Sequence, residues 1–418
     1  MLEGNEFSMD KMCTLQKSFL ALCLFASAMA TPIETNADLQ LVSQGAQLFS
    51  INFVKTIAKE QQDNLISSPL SADVALSMAA IGAAGSTERQ FKEVLKLPAT
   101  KTQTLTGYQN LIDLLNNVEN VTLKLANKMF IAQNFQVKPE YKHDLQTYFH
   151  SDIVPVDFNQ KEQAANTINT WCKEKTNNRI NSIIQAGDLD PSIALILANA
   201  VYFKGNWAHK FDPKDTTDRP FYVDANNVQS ASTMFRKGNY KYVELPEHEA
   251  KCIELPYANK EISMVIILPD KVDGLPAIIN NLDVVSTDCN TRLAQTYERE
   301  VRLYLPKFKT ESKLDLGNTL STKLGLSEPF SNFANFSGIS EVPLKIDKVV
   351  QKAFIEVNEE GSEAAAVTAV LIVPLSINWT PPQLEFNINR PFYYYIRYKK
   401  DTSVVSLFEG RINVPKMK

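Results

Sequence analysis

Four histidines, five cysteines and one seventeen-residue stretch are the places where this 418-residue chain could hold chemistry. His143, His150, His209 and His248 include no His-Glu-x-x-His pair; the nearest, His248-Glu249, continues into Ala-Lys-Cys. There is no Gly-x-Ser-x-Gly elbow, no Gly-x-Gly-x-x-Gly and no phosphate-cradling Gly-Lys loop, and no Cys/His cluster has metal-ligand spacing. Each histidine therefore reads as an ordinary surface or core residue, and no enzyme activity, metal or cofactor is expected.

The unusual stretch is Glu359 to Leu375, EEGSEAAAVTAVLIVPL. Glu and Ala favour helix from Ser362 to Ala369, whereas Val367 to Val373 is β-prone, so local preference is split. Taken at period two, one face is Ser362, Ala364, Ala366, Thr368, Val370 and Ile372, small or apolar and uncharged. The other carries its only charge at Glu363, and no proline removes a backbone donor before Pro374. A segment able to enter the middle of a sheet thus runs into Pro374, Ser376, Asn378, Thr380, Pro381 and Pro382, which is exposed-loop chemistry.

The elements that would carry this stretch divide along the chain. Helices are expected early: Asp38 to Lys59 with apolar residues at helical spacing, Pro69 to Ile81 with Ser68 as N-cap, Gly85 through Leu95, Glu140 to Phe149 and Gln160 to Lys175. Strands are expected late, at Ala194 to Phe203, Ile262 to Leu268, Glu300 to Leu305, Lys352 to Val357, Phe392 to Tyr398 and Ser403 to Phe408. The fold class is α+β, and without linker or repeat the chain reads as one large domain.

Residues 1–30 read as a secretory signal peptide, with Lys17 before the apolar run Phe19 to Ala26 and Ala28-Met29-Ala30 as the cleavage pattern. Acidic Glu3, Glu6 and Asp10 are out of place in such a leader, which points to Met12 as the working start. The apolar run falls short of the about 18 residues a membrane span needs. Removing the leader leaves residues 31–418 with 41 basic and 44 acidic side chains, no excess from which to build a nucleic-acid surface. Cys172, Cys252 and Cys289 remain, sparse and widely spaced, and the expectation is no structural disulfide; one pair plus a free thiol is the alternative. Sequons at Asn120, Asn335 and Asn378 suit a secreted glycoprotein.

Asn358-Glu-Glu-Gly-Ser-Glu-Ala-Ala-Ala resembles the reactive-loop hinge of the serpins, a family of serine-protease inhibitors. Other blocks agree in order: Leu65-Ile-Ser-Ser-Pro-Leu-Ser, Leu197-Ala-Asn-Ala-Val-Tyr-Phe-Lys-Gly-Asn-Trp, Leu255-Pro-Tyr, Ser263-Met-Val-Ile-Ile-Leu-Pro, Phe386-Asn-Ile-Asn-Arg-Pro-Phe and Leu407-Phe-Glu-Gly-Arg-Ile. The resemblance spans the whole mature chain. It implies a serpin fold of three β-sheets and eight or nine helices, with an exposed reactive-centre loop at about 359–382.

The implied function is suicide inhibition: a protease cleaves the loop, and the acylated side inserts as a strand into the large sheet. Family spacing puts the reactive bond at Leu375-Ser376, and Leu375 suits a chymotrypsin-like or elastase-like serine protease. The hinge would be Glu359, Glu360, Gly361, Ser362, Glu363, Ala364, Ala365 and Ala366, with Ser362 facing inward and Glu363 outward. Ser68, Ser71, Asn199, Trp207 and Gln351 match the region where the sheet opens, although Gln351 stands where many relatives have His. The segment Leu105 to Asn117, which corresponds to a heparin-binding helix in some relatives, has no Lys or Arg, so heparin activation by that route is not expected. The implied protein is a secreted, extracellular monomer with neither membrane nor nucleic-acid partners; the alternative is a non-inhibitory binding or carrier protein of the same fold.

Overall fold

The computed structural model describes residues 31–362, 384–400 and 403–417. The leader, Glu363 to Ala366, Leu375, Ser376 and Asn378 lie outside these residues. The long first helix, α1 (Thr31–Glu60), buries Ala46, Phe49, Phe53 and Ile57 of the residues whose helical spacing predicts it, whereas Leu41 and Leu48, counted with them, are exposed. Strand β1 (Leu65–Ser67) leads into α2 (Pro69–Ala80), where the Ser68 side chain accepts from Ser71 N and Pro69 opens the first turn. Helix α2 is buried throughout. It is followed by α3 (Gly85–Leu95) and α4 (Lys101–Asn116), the latter started by a Thr100/Gln103 capping box.

Next come β2 (Val121–Ala132), α5 (Pro139–Phe149), β3 (Ile153–Val156), α6 (Lys161–Lys175) and β4 (Leu195–Asn206). A β-rich run follows: β5 (Thr217–Tyr222), β6 (Val228–Leu245), β7 (Ala250–Pro256) and β8 (Ile262–Pro269). Two helices, α7 (Leu275–Asn280) and α8 (Leu282–Gln295), precede β9 (Glu298–Pro306), β10 (Phe308–Asp315), β11 (Ile346–Asn358) and the two-residue β12 (Gly361–Ser362). The chain finishes with β13 (Leu384–Asn387), β14 (Phe392–Lys400) and β15 (Ser403–Ile412).

These strands form two hydrogen-bonded sheets among the described residues. One has six strands in the order β10-β11-β12-β4-β2-β3, and the other has nine. Two of the three expected sheets are continuous because β6 is long enough to serve both. Val228 to Thr233 pair with β5, Thr233 to Lys241 with β9, and the last residues, Lys241 to Leu245, with β7.

The structure joins Cys252 of β7 to Cys289 of α8 in a disulfide, their Cα atoms 6.4 Å apart. This corrects the expectation of no structural disulfide. A separation of 37 residues carries no pairing signal in sequence, yet the fold packs α8 against β7 and brings both side chains into the core. Cys172 is the free thiol, buried on α6, and burial pushes it up to about 12 despite the opposing charge of Lys352. No helix among the described residues is long and apolar enough to cross a membrane.

Candidate functional site

The six-stranded sheet holds the segment that sequence analysis reads as a hinge. Strands β4 and β11 run parallel and pair directly, Ile346 opposite Leu195 through Phe354 opposite Tyr202. Beyond that paired stretch they separate, and β12 occupies the gap, antiparallel to both. Ser362 lies opposite Val357 on one side and Gly205 on the other, and Gly361 opposite Asn358 and Asn206. Gly361 has φ of +145°, and a Cβ there would sit 2.0 Å from Gly205 O, so the close approach of the two backbones requires glycine.

Ser362 is fully buried, and its Oγ lies 2.9 Å from Tyr257 Oη. Burial raises the Tyr257 phenol well above its usual range, and the Ser362 hydrogen bond acts against that rise. Tyr257 in turn stacks on Trp207, ring centroids 4.6 Å apart and 16° between planes. Trp207 holds the turn before β12 from both ends of its own residue: Nε1 donates to Asn358 O at 3.0 Å, and the backbone N–H donates to Glu360 O at 2.9 Å. Phe211 N–H donates to Glu359 O at 2.9 Å.

Two lysines hold the acidic pair beside it. Glu359 meets Lys307 at 2.9 Å and accepts from Thr216 Oγ1 at 2.8 Å, and Glu360 pairs with Lys210. Burial alone would raise the Glu359 carboxyl, but the hydrogen bonds from Lys307, its own backbone and Thr216, with the lysine's charge, hold it below the ordinary carboxylate value. Neither Lys210, Lys307, Thr216 nor the role of Tyr257 was read from sequence. Tyr257 stands in the quoted Leu255-Pro-Tyr block, which was a usable signal; the lysines lie far away in the chain, in segments with no distinctive pattern.

Deeper in the same sheet, Ser68, Ser71, Asn199 and Gln351 meet in one polar cluster. Asn127, Asn199 and Gln351 are opposite one another on β2, β4 and β11, a row across three strands. Gln351 Nε2 donates to Asn199 Oδ1 at 2.6 Å and to Ser68 O at 2.9 Å, while its Oε1 accepts from Ser68 N at 2.9 Å and from Ser67 Oγ. Asn199 Nδ2 donates to Ser71 Oγ and Asn127 Oδ1, and Ser68 Oγ donates to Leu407 O at 2.6 Å. The carboxamide at 351 thus uses both its donor and its acceptor, bridging the start of α2 to the seam between β4 and β11. Asn127 and Ser67 complete the cluster and were not picked out in sequence.

Trp207 belongs to the upper site, separate from this row. Asn120 and Asn335 are both exposed. Among the described residues no group of three His, Cys, Asp or Glu side chains could hold a metal ion.

A family described as Serpin (serine protease inhibitor) matches residues 44–415. The chain is 33% identical over 382 residues to Serpin B6 of Pongo abelii, covering 90% of this chain and all of that one. It is 34% identical over 359 residues to the leukocyte elastase inhibitor of Sus scrofa, covering 84% and 93% of the two chains. The crystal structure of Serpin48 from the insect Tenebrio molitor superposes with a TM-score of 0.78 at 30% identity, covering 93% of this chain and 100% of that one. The chain belongs to the serpin family, which comprises protease inhibitors and not enzymes.

Proposed function

We propose that this serpin is a secreted suicide inhibitor of chymotrypsin-like or elastase-like serine proteases, cleaved after Leu375 and trapping its target as the loop enters the sheet between β4 and β11. The observation that carries the reading is the seat of β12. Gly361 and Ser362 already lie between those two strands, antiparallel to each. Continuing residue by residue from that start, the loop would add a strand along the seam, the strand addition for which serpins themselves are the standard case. Ser362 faces inward against Tyr257, so alternation sends Ala364, Ala366 and Thr368 the same way, and all are small enough for a closed interior. The direct Gln351–Asn199 bond would have to part as the new strand passes.

Extracellular action is supported by the Cys252–Cys289 disulfide, since such bonds persist in oxidising compartments. The glycans at Asn120, Asn335 and Asn378 belong to the same reading. The test is incubation with chymotrypsin, pancreatic elastase and trypsin, followed by denaturing electrophoresis and N-terminal sequencing of the released peptide. A denaturant-stable complex with chymotrypsin or elastase and a new terminus at Ser376 is expected. A complex with trypsin alone would refute the specificity, and clean cleavage without any complex would favour a non-inhibitory binding protein.

A further inference from the structure

Strand β2 leaves two thirds of its outer edge open. Its partner on that side, β3, pairs only with Met129 to Ala132, so Val121 to Lys128 have no strand beside them among the described residues. A cavity of about 540 Å³ runs along this edge, within the size range of small-molecule sites. It wraps from one face of the sheet to the other. One face is mainly apolar, Leu123 and Leu125 of β2 against Leu70 and Val74 of α2 and Leu111 and Leu115 of α4, with Asn127 beside them. Leu123 and Leu125 remain only half-buried there, although they sit beside the main core.

By strand alternation Lys124 and Lys128 are on the opposite face, where Lys175 of α6 also lines the cavity. The rim carries these three lysines and His150 against a single carboxylate, Asp152, and His150 is paired with Asp113 at 2.6 Å. Partial burial lowers the Lys128 amine, while Asp152 and Glu174 favour its charge and Lys175 opposes it. An apolar trough that turns round a strand edge onto a cluster of lysines is matched to a long chain with one anionic end. A strand-forming peptide suits the edge less well, because Asn127 O already accepts from Ser151 Oγ at 2.6 Å and Met129 N donates to Asp152 O.

We propose that this slot binds a long-chain free fatty acid, its hydrocarbon between α4 and β2 and its carboxylate on Lys124, Lys128 and Lys175. The site is separate from the β12 gap and independent of how the protein traps proteases. Asn127 belongs to both the slot lining and the polar row, so an occupied slot touches the row that spans β2, β4 and β11.

The experiment uses delipidated full-length mature protein and cis-parinaric acid, whose fluorescence rises on transfer from water, at concentrations below micelle formation. Saturable binding at one site per chain is expected, with displacement by palmitate and displacement at least tenfold weaker by hexadecanol, which has the chain without the charge. Lys124→Glu/Lys128→Glu should weaken binding at least tenfold while melting within a few degrees of the parent. Leu125→Trp, which fills the trough, should abolish it. Absence of saturable binding, equal displacement by hexadecanol, undiminished binding to the lysine variant, or stronger displacement by an unstructured apolar peptide than by palmitate would each overturn the assignment. If Leu125→Trp does not fold, the lysine variant and the alcohol still decide the matter.

Discussion

Replacing Ser362 by arginine tests the register of the trapping reaction at its first step. Ser362 is buried between Val357 and Gly205 with its hydroxyl 2.9 Å from Tyr257 Oη, and among the described residues no carboxylate is bonded to it or to Tyr257. A guanidinium there would lose its water without gaining an ion-pair partner, a cost of several kcal/mol. Because residue 362 is already buried in the uncleaved molecule, the same cost expels the arginine from the gap beforehand; even about 3 kcal/mol of it met again as the strand enters slows insertion on the order of 100-fold. Hydrolysis of the acyl-enzyme proceeds at its own rate, so the branching turns toward turnover by the same factor. Ser362→Arg should be cleaved at the same bond and at a similar initial rate, yet consume tens of inhibitor molecules for each protease trapped. Glu363→Arg, the next residue on the alternating pattern, should inhibit far better because its charge can stay in water. The readout is moles of inhibitor consumed per mole of protease inactivated. Equal values for the two variants would refute the inward placement of Ser362 and the register built on it.

Three further outcomes are expected. Gln351→Ala strands buried groups on Ser67, Ser68 and Asn199; at about 1–3 kcal/mol for each unsatisfied group, it should melt several degrees lower, whereas Gln351→His, which keeps a donor and an acceptor, should fall between it and the parent by calorimetry. Asp73, buried on α2 and hydrogen-bonded by Tyr108 at 2.6 Å, is pushed up to about 7 by burial against the lowering effect of that bond. The folded state therefore holds its proton between about pH 4, where the unfolded chain releases it, and pH 7, and stability falls as pH rises through that window; Asp73→Asn should flatten the trend between pH 5 and 8 in thermal melts. Thiol titration of the denatured mature protein should give one group before reduction and three after, and Cys289→Ser should cost up to about 4 kcal/mol by loop-closure entropy, read as a lower unfolding midpoint.

How much of this was legible depended on whether the information was local. Helix α2 could be read because Ser68 and Pro69 announce its start, and β8 because an unbroken apolar run has few other uses. Strand β2 escaped: Val-Thr-Leu-Lys-Leu-Ala-Asn-Lys alternates only loosely, since one edge opens onto a cavity and both faces stay half-solvated. Strands β5 and β6 escaped for a related reason, their exposed polar residues diluting the pattern. At the site, the residues that resemble a family block were found, whereas Lys210, Lys307 and Asn127 were not. Their roles arise from strand register and turn packing, which join positions 52 to 150 residues apart. The Cys252–Cys289 pair was missed on the same ground.

The parallel seam between β4 and β11 also fixes what a stability measurement on this protein can mean. Parallel pairing is slightly weaker per residue than antiparallel, and a strand entering between the two would trade one parallel interface for two antiparallel ones. Under the proposed mechanism, the lowest free energy available to the chain would lie in an arrangement that the intact covalent connection withholds. A melting temperature recorded on the uncleaved molecule then reports the loop-out arrangement alone, and the same measurement after cleavage should lie higher. Substitutions along the seam should accordingly be compared on both the uncleaved and the cleaved molecule, since a tighter seam and a faster trap make opposite demands on the same residues.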